Sequence, residues 1–440
     1  MDQNSLANQY GAQKFISRYH LDTASQGQYY GQNQRVGLLE MADPKISDAQ
    51  KYWSTIGVNT NVSRIHKHYV LGSQQFDNKV AKKRFNQNDL LNQAEVTLDL
   101  QQAGAVAPQA DIDLYLVPSM NAEQGDDAEF YQGFARAIGD NKVGQISTSF
   151  AVGQDGDTTW GGQSESAAQF ATVTEPLFAQ AAAQGIGVFS AAGDRGAYTV
   201  NSSKPSLSQP TSSFLTSVGG TTLPLHTILN GRLINIDQET AWNNKYYMSF
   251  SALKTGINPV GGTGGFSKYI KMPPYQAAVP GTNTFRAIQL LKFHSKTQKY
   301  TVNQTPKVIT GTNSHRAYPD ISANSDTNTG YAMYLTGKLK TKRGVSNFSR
   351  WFINGGTSFA SPQTAATSAV LGSAIGGRVG FWNPQIYQFA TSNQSPFTVL
   401  SDVTSQNLYY TGQPGKLYNQ ATGLGTVDYG KLLTSFKNAK

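Results

Sequence analysis

Short apolar runs alternating with helix-spaced segments constrain this chain more than any other feature. The runs are "RVGLLEMA" (Arg35–Ala42), "IDLYLV" (Ile112–Val117), "GQISTSF" (Gly144–Phe150), "GIGVFSAA" (Gly185–Ala192) and "SFLTSVGG" (Ser213–Gly220). Apolar residues recur at intervals of three and four in "NDLLNQAEVTLDLQQAGA" (Asn88–Ala105), "DAEFYQGFARAIG" (Asp127–Gly139) and "SESAAQFATVTEPLFAQAAAQG" (Ser164–Gly185). Nearly continuous apolar strands alternating with helices predict a parallel sheet covered on both faces, an α/β fold of the doubly wound kind. From about Gly231 to Ala317 the pattern becomes irregular, and it reads as long loops with an insertion near 280–315. Neither a tandem repeat nor a low-complexity linker divides the sequence, so one domain over 1–440 is expected.

Composition narrows the partners. No run reaches the length of apolar chain that spans a bilayer, and the first residues lack the apolar core of a signal peptide. There is no cysteine, which excludes thiol catalysis, disulfides and thiolate metal sites. Lys plus Arg number 36 against 27 Asp plus Glu, a net +9, yet only 14% of residues are charged. The densest basic patches, "KVAKKRF" (Lys79–Phe85) and "KLKTKR" (Lys338–Arg343), have no nucleic-acid-binding context and read as solvated loops.

The stretch "NGGTSFASPQTAATSAVLG" (Asn354–Gly372) places a serine where a nucleophile would sit. Gly355 and Gly356 permit close backbone approach, and an Ala-rich periodic run follows with Pro362 expected in its first turn. Ser358 is therefore predicted at a helix N-terminus, among unpaired amides that favour a developing oxyanion. Serine alone is a poor nucleophile and needs a base within hydrogen-bond reach.

Histidine is the usual base, but none of His20, His66, His68, His226, His294 and His315 lies in a catalytic-looking motif. "AEVTLDLQ" (Ala94–Gln101) offers another. Glu95 and Asp99 are four residues apart, on one helix face, where mutual repulsion raises the proton affinity of one of them. The same spacing also suits a solvated face carrying two acids, and the interleaved Val96, Leu98 and Leu100 do not choose between solvent and cleft. A third acid, Asp194 in "FSAAGDRGAY" (Phe189–Tyr198), follows a strand end and lies between Gly193 and Gly196, where α/β ligand sites gather; an Asx turn fits it equally.

Together these segments resemble the sedolisin family, the serine-carboxyl peptidases. "GGTSFASP" is similar to the family's serine motif, "AEVTLDLQ" to its Glu-and-Asp helix and "SAAGDRGA" to the loop with its oxyanion aspartate. "RVGLLEMA", "APQADIDLYL", "TSVGGTTL", "ETAWN", "GGFSKYIKMPPYQ", "YPDISA" and "TGLG" follow in order, so the resemblance runs from about Tyr10 to Leu433. It implies a subtilisin-like fold and a serine-type endopeptidase, with tripeptidyl-peptidase action a variant. Ser358 would be the nucleophile, Glu95 the general base and later acid, Asp99 the group that orients Glu95, and Asp194 the oxyanion donor. Carboxyls in place of histidine suit acidic pH, where imidazole would be protonated. Glu40 and Asp320 stay outside this set, Asp320 as the holder of a loop and Glu40 with a structural or substrate-side role.

The resemblance also implies one calcium ion, in a loop region at 400–425. Asp402 would be its first carboxylate, carbonyls would come from Val403, Gly415 and Leu417, and Asn419 stands where the family usually has aspartate. An amide there removes one negative charge and should weaken binding. Phe150 stands where many relatives have Trp, which leaves subsite preference open. Peptides or proteins are the expected substrates of a secreted, extracellular monomer. Relatives are made with an inhibitory N-terminal prodomain, and the sequence begins about where their mature part does. The rival reading is a catalytically silent relative serving as a surface or binding protein.

Overall fold

The structure is a computed structural model, and it describes residue 6 and residues 9–70, 90–117, 127–150, 158–160, 163–165, 167–198, 212–341 and 344–439. The basic patch at Lys79–Phe85 lies outside the described residues. Eight strands form the main sheet among those described: β1 (Arg35–Glu40), β2 (Ile65–Tyr69), β3 (Asp111–Leu116), β4 (Gln145–Thr148), β5 (Gly187–Ala191), β6 (Thr216–Thr222), β7 (Thr240–Ala241) and β8 (Ile321–Asn324). Their order is β7-β6-β5-β4-β1-β3-β2, with β8 also paired to β6. Only the β6–β7 pair is antiparallel.

The helices α1 (Ile46–Ile56), α2 (Leu90–Val106), α3 (Asp127–Asp140), α4 (Ala167–Ala183) and α5 (Thr357–Ile375) cover the sheet. Strand pleat sorts the apolar side chains between two cores. Val36, Leu38, Ile112, Leu114 and Phe189 point into one core with Leu98 and Leu100 of α2 and Ala365, Ala366 and Ala369 of α5. Leu39, Tyr115 and Val188 point into the other with Phe130 and Phe134 of α3 and Phe170 and Phe178 of α4. The fold is thus a mostly parallel, doubly wound sheet of subtilisin-like type. The larger core draws residues from Ala12 to Phe436.

The segment from about Gly231 to Ala317, expected as long loops with an insertion, carries several paired strands. Leu225–Leu229 pairs with Arg232–Ile236, Thr284–Ile288 with Val308–Thr312, and Leu291–His294 with Lys299–Val302. Ala287, Leu291 and Tyr300 enter the main core, so the 280–315 region is anchored rather than pendant. A ribbon, β9 (Tyr331–Thr341) and β10 (Gly344–Asn354), pairs over eleven positions and delivers the chain to Gly355. Lys338–Thr341 of the second basic patch therefore lie in a strand rather than a loop.

Chain order fixes where a ligand can sit. The chain passes from β1 to β2 and β3 on one side, then returns to the other side for β4, β5 and β6. This reversal between the neighbours β1 and β4 opens a crevice at their carboxyl ends, beside that of β5.

Candidate active site

Ser358 is the second residue of α5, a helix buried almost throughout from Thr357 to Gly372. Its cap, Gly356, has φ of +121°, a conformation that side-chain-bearing residues rarely adopt. Pro362 is the sixth residue of the helix, one turn later than the sequence suggested. The correction matters because a residue at that position would normally donate its N–H to the carbonyl of Ser358, four residues back, and proline has none. The freed carbonyl lies 3.2 Å from the Ser149 hydroxyl, just beyond the end of β4. That hydroxyl is also 2.9 Å from Oδ1 of Asp99, so Ser149 connects the serine's backbone with the acid helix.

α2 brings its two acids to this crevice rather than to solvent. Asp99 is fully buried. Glu95 is half-buried as a residue, yet its Oε1 is sealed from solvent without a hydrogen-bond partner among the described residues. Burial pushes the Glu95 carboxyl well above the usual carboxylate range and Asp99 adds to the effect, while the neighbouring Ser358 hydroxyl pulls it back. Burial likewise raises Asp99, against hydrogen bonds from Glu40 and Ser149.

Glu40, left out of the candidate set, stands directly behind Asp99. It is the last residue of β1 and fully buried, and burial followed by the proximity and hydrogen bond of Asp99 raises its carboxyl far above the ordinary value. A signal was available in the sequence: an apolar parallel strand ending in a carboxyl group places that acid at the crevice of an α/β sheet. Asp320 does hold structure, as expected. It accepts from Arg316 Nη2 at 2.8 Å, Tyr387 Oη at 2.8 Å and the Ser217 amide at 2.7 Å, in a fully buried cluster.

Asp194 completes the group from the turn after β5. Its Oδ1 accepts from the amide and the hydroxyl of Thr357, both at 2.8 Å. The space over Gly356 explains both the glycine and the acid. A Cβ built there would lie 2.8 Å from Oδ2 of Asp194 and 3.7 Å from the amide nitrogen of Ser358, so both groups face one small volume that a side chain would fill. Burial raises the Asp194 carboxyl, against the two hydrogen bonds from Thr357. Sequence reading also missed the segment that braces this turn. Thr263 N donates to Gly193 O at 2.9 Å, Gly261 N to Asp194 O at 2.9 Å, and Gly196 N to Gly261 O at 2.8 Å.

All six histidines have partners elsewhere. His68 bonds Asp113 at 2.7 Å, His66 lies 3.5 Å from Asp111, and His20 bonds Asp428 at 2.9 Å. His226 contacts Asn235, His294 contacts Thr301 and His315 contacts Asn313. The titratable group beside Ser358 is the Glu95 carboxyl.

The residues assigned to calcium make a set poor in charge for a hard cation, which takes six to eight oxygens from carboxylates, carbonyls and waters. Asp402 is the one carboxylate in residues 400–425, and its Oδ1 accepts from the Thr404 amide and hydroxyl, both at 2.7 Å. Asn419 is fully buried with its Oδ1 engaged by the amides of Ala421 and Thr422 at 3.0 Å each, and its Nδ2 directed to the Leu400 carbonyl at 3.3 Å. Val403 is exposed, Gly415 sits in a left-handed turn, and the Leu417 amide donates to Pro280 O at 3.0 Å. No group of three His, Asp or Glu able to hold a metal occurs among the described residues. Neither millimolar Ca²⁺ nor EDTA should move the melting temperature by more than about 2 °C, since stabilisation by mass action needs a site formed in the folded state. A gain of ten degrees with Ca²⁺ would show that the loop rearranges around an ion.

Comparison with known proteins identifies the family and the fold. Residues 81–419 match the subtilase family model, a peptidase family. The chain is 28% identical over 349 residues to kumamolisin of Bacillus sp. (strain MN-32), covering 76% of this chain and 49% of that protein. It is 29% identical over 311 residues to sedolisin of Pseudomonas sp. (strain 101), covering 68% and 42% respectively. The chain spans about half the length of the curated relatives it matches. The solved structure of Pseudomonas sedolisin, a serine-carboxyl proteinase in complex with pseudo-iodotyrostatin, superposes with a TM-score of 0.63 at 22% identity, over 93% of this chain and 94% of that one. That likeness establishes a shared fold. With the family match over most of its length and sedolisin-type relatives in sequence and architecture, the chain belongs to the subtilase family, in its sedolisin branch.

Proposed function

We propose that the chain is a serine peptidase that hydrolyses peptide bonds through an acyl-enzyme on Ser358, with Glu95 as general base, Asp99 as the group orienting Glu95, and Asp194 as oxyanion donor. The observation that carries the reading is the volume over Gly356, which Oδ2 of Asp194 and the Ser358 amide face together at the mouth of a helix. A carbonyl oxygen placed there would meet two donors and the positive end of the α5 dipole as it gains charge.

In the first step Glu95 accepts the Ser358 hydroxyl proton while Oγ attacks the carbonyl carbon, and the carbonyl π electrons move to the oxygen. Glu95 then gives that proton to the departing amine, and the C–N bond breaks to leave the ester. A water, deprotonated by Glu95, attacks the ester carbonyl, and the proton returns to Ser358 Oγ as the acyl group leaves. Glu95 feels the charge of Asp99, and Glu95 is competent when Asp99 is neutral, its proton held toward Glu40, with which it shares a hydrogen bond. Ser149 steadies both sides of this exchange through its contacts with Asp99 and the Ser358 carbonyl.

Substrates in this reading are peptides or proteins, and the enzyme acts outside the cell as a monomer released from an N-terminal prodomain. The calcium ion implied by the resemblance enters no step of this proposal.

The test is the pH dependence of peptide cleavage. Attack requires ionisation of the Glu95–Asp99 pair, whereas the oxyanion requires a neutral Asp194, so activity should follow a bell. Burial raises all three carboxyls, which moves both limbs toward neutrality from the ordinary range near about 4. The maximum should fall below pH 7. Asp194→Asn, which keeps a donor at every pH, should be slower at the maximum but lose its remaining activity less steeply on the alkaline side. An alkaline optimum with an unchanged profile in Asp194→Asn would reject the reading, and an absence of cleavage at any pH would favour the silent relative.

A further inference from the structure

Thr357, between the helix cap and the nucleophile, makes three contacts that have not entered the reaction so far. Its amide and its hydroxyl both lie 2.8 Å from Oδ1 of Asp194, and the same hydroxyl oxygen is 3.0 Å from the amide nitrogen of Gly193. An amide N–H can only donate, so the Thr357 oxygen accepts from Gly193 and its single proton is left for Asp194. Oδ1 thus receives two hydrogen bonds. In a neutral carboxyl group the oxygen that accepts two hydrogen bonds is the carbonyl oxygen, since the hydroxyl oxygen is the poorer acceptor.

We propose that Thr357 is a positioning residue for acyl transfer: by engaging Oδ1 of Asp194 with both its amide and its hydroxyl, it keeps the carboxyl proton on Oδ2, the oxygen that faces the space over Gly356. The inference rests on the reading of Asp194 as oxyanion donor. Without Thr357 a neutral Asp194 could carry its proton on either oxygen, and half of those arrangements would point an acceptor at the developing negative charge. The arrangement costs nothing at the moment of reaction, because both partners are built into the turn and the helix start.

The groups around Asp194 are few. Glu95 of α2 feels its charge, with Asp99 and Glu40 behind, and Arg195 is its neighbour in sequence. The bracing segment Pro259–Gly265 and the helix α5 contain no charged residue. Both bonds from Thr357 favour ionised Asp194, so loss of the hydroxyl should raise the alkaline limb of the activity profile rather than lower it.

Thr357→Val keeps the shape and the amide but removes the hydroxyl. Its kcat should fall by about ten- to a hundredfold with KM little changed, less than or equal to the loss of a full oxyanion donor, and its alkaline limb should move to higher pH. Thr357→Ser restores the hydroxyl and should restore both. Equal losses in the Val and Ser variants with a stationary alkaline limb would overturn the proposal. If Asp194→Asn also leaves kcat and that limb unchanged, the oxyanion reading itself has failed instead. A measurement independent of the Val variant's folding is the infrared C=O stretch of neutral Asp194, assigned by its loss in Asp194→Asn. In the wild-type protein it should have the lowered frequency of a carbonyl accepting two hydrogen bonds, and a free-carbonyl frequency would overturn the proposal.

Discussion

Ser358→Ala and Glu95→Gln should each lower peptide hydrolysis by about 10⁴- to 10⁶-fold, the range seen when a serine hydrolase loses its nucleophile or base. The alanine removes the hydroxyl at the mouth of α5 that adjoins the Glu95 carboxyl. The glutamine keeps the shape of Glu95 but cannot accept the proton. Because the two residues act in one step, the double variant should be little slower than either single one, whereas independent contributions would multiply. Single-turnover assays on folded protein separate these cases. Near-normal turnover in Glu95→Gln would remove the base from the proposal, and no histidine stands ready to replace it, since all six are paired elsewhere.

The central sheet was legible because burial on both faces leaves an uninterrupted apolar run: β1, β4 and β5 fall inside the runs read as strands, and β3 begins one residue before its run. β2 was not legible. Its sequence, "IHKHY", is only half-buried at the sheet edge, so His66 and His68 can satisfy Asp111 and Asp113 and the strand needs little apolar character. The ribbon was hidden for a related reason: β10 is exposed along most of its length, and exposed strands carry no alternation to read.

At the site, Ser358, Glu95, Asp99 and Asp194 were each visible through local grammar, a glycine-capped helix start, an i,i+4 pair and a glycine-flanked turn. What brings them together was not visible. Ser149 meets Asp99 across fifty positions of sequence, and Thr357 meets Asp194 across 163. Such contacts depend on the topology of the sheet, which places the ends of β1, β4 and β5 around one crevice, and no local pattern encodes a tertiary distance.

The second large effect expected is on stability, which should fall as pH rises above about 4. Glu40, Asp99, Glu95, Asp194 and Asp326 are held in surroundings that raise their carboxyls, with burial as the leading cause in every case. A group whose folded value lies above its unfolded one binds more protons in the folded state over that interval. Its contribution is fully present below the unfolded value and is lost as pH climbs through the folded one. Each such carboxyl removes about 1.4 kcal/mol per pH unit while it is in that window. Asp113 acts in the opposite sense: burial opposes its ionisation, but His68 and Arg35 outweigh burial and hold it below the ordinary range. Asp48 is raised by burial as well, and Asp402 is lowered by its bonds from Thr404, so among the described acids two lowered ones stand against six raised ones and the balance stays on the acid side. The melting temperature should therefore drop on the order of 10 °C between about pH 4 and pH 7. Glu40→Gln removes one ionisable group from the buried chain of acids while keeping a donor toward Asp99, so it should shrink that drop mainly at the neutral end. Calorimetry across this range decides the matter. A melting temperature that stays level or rises toward neutrality would mean that these carboxyls are not held protonated in the folded protein, and the acid-side position assigned to the activity profile would lose its physical basis along with it.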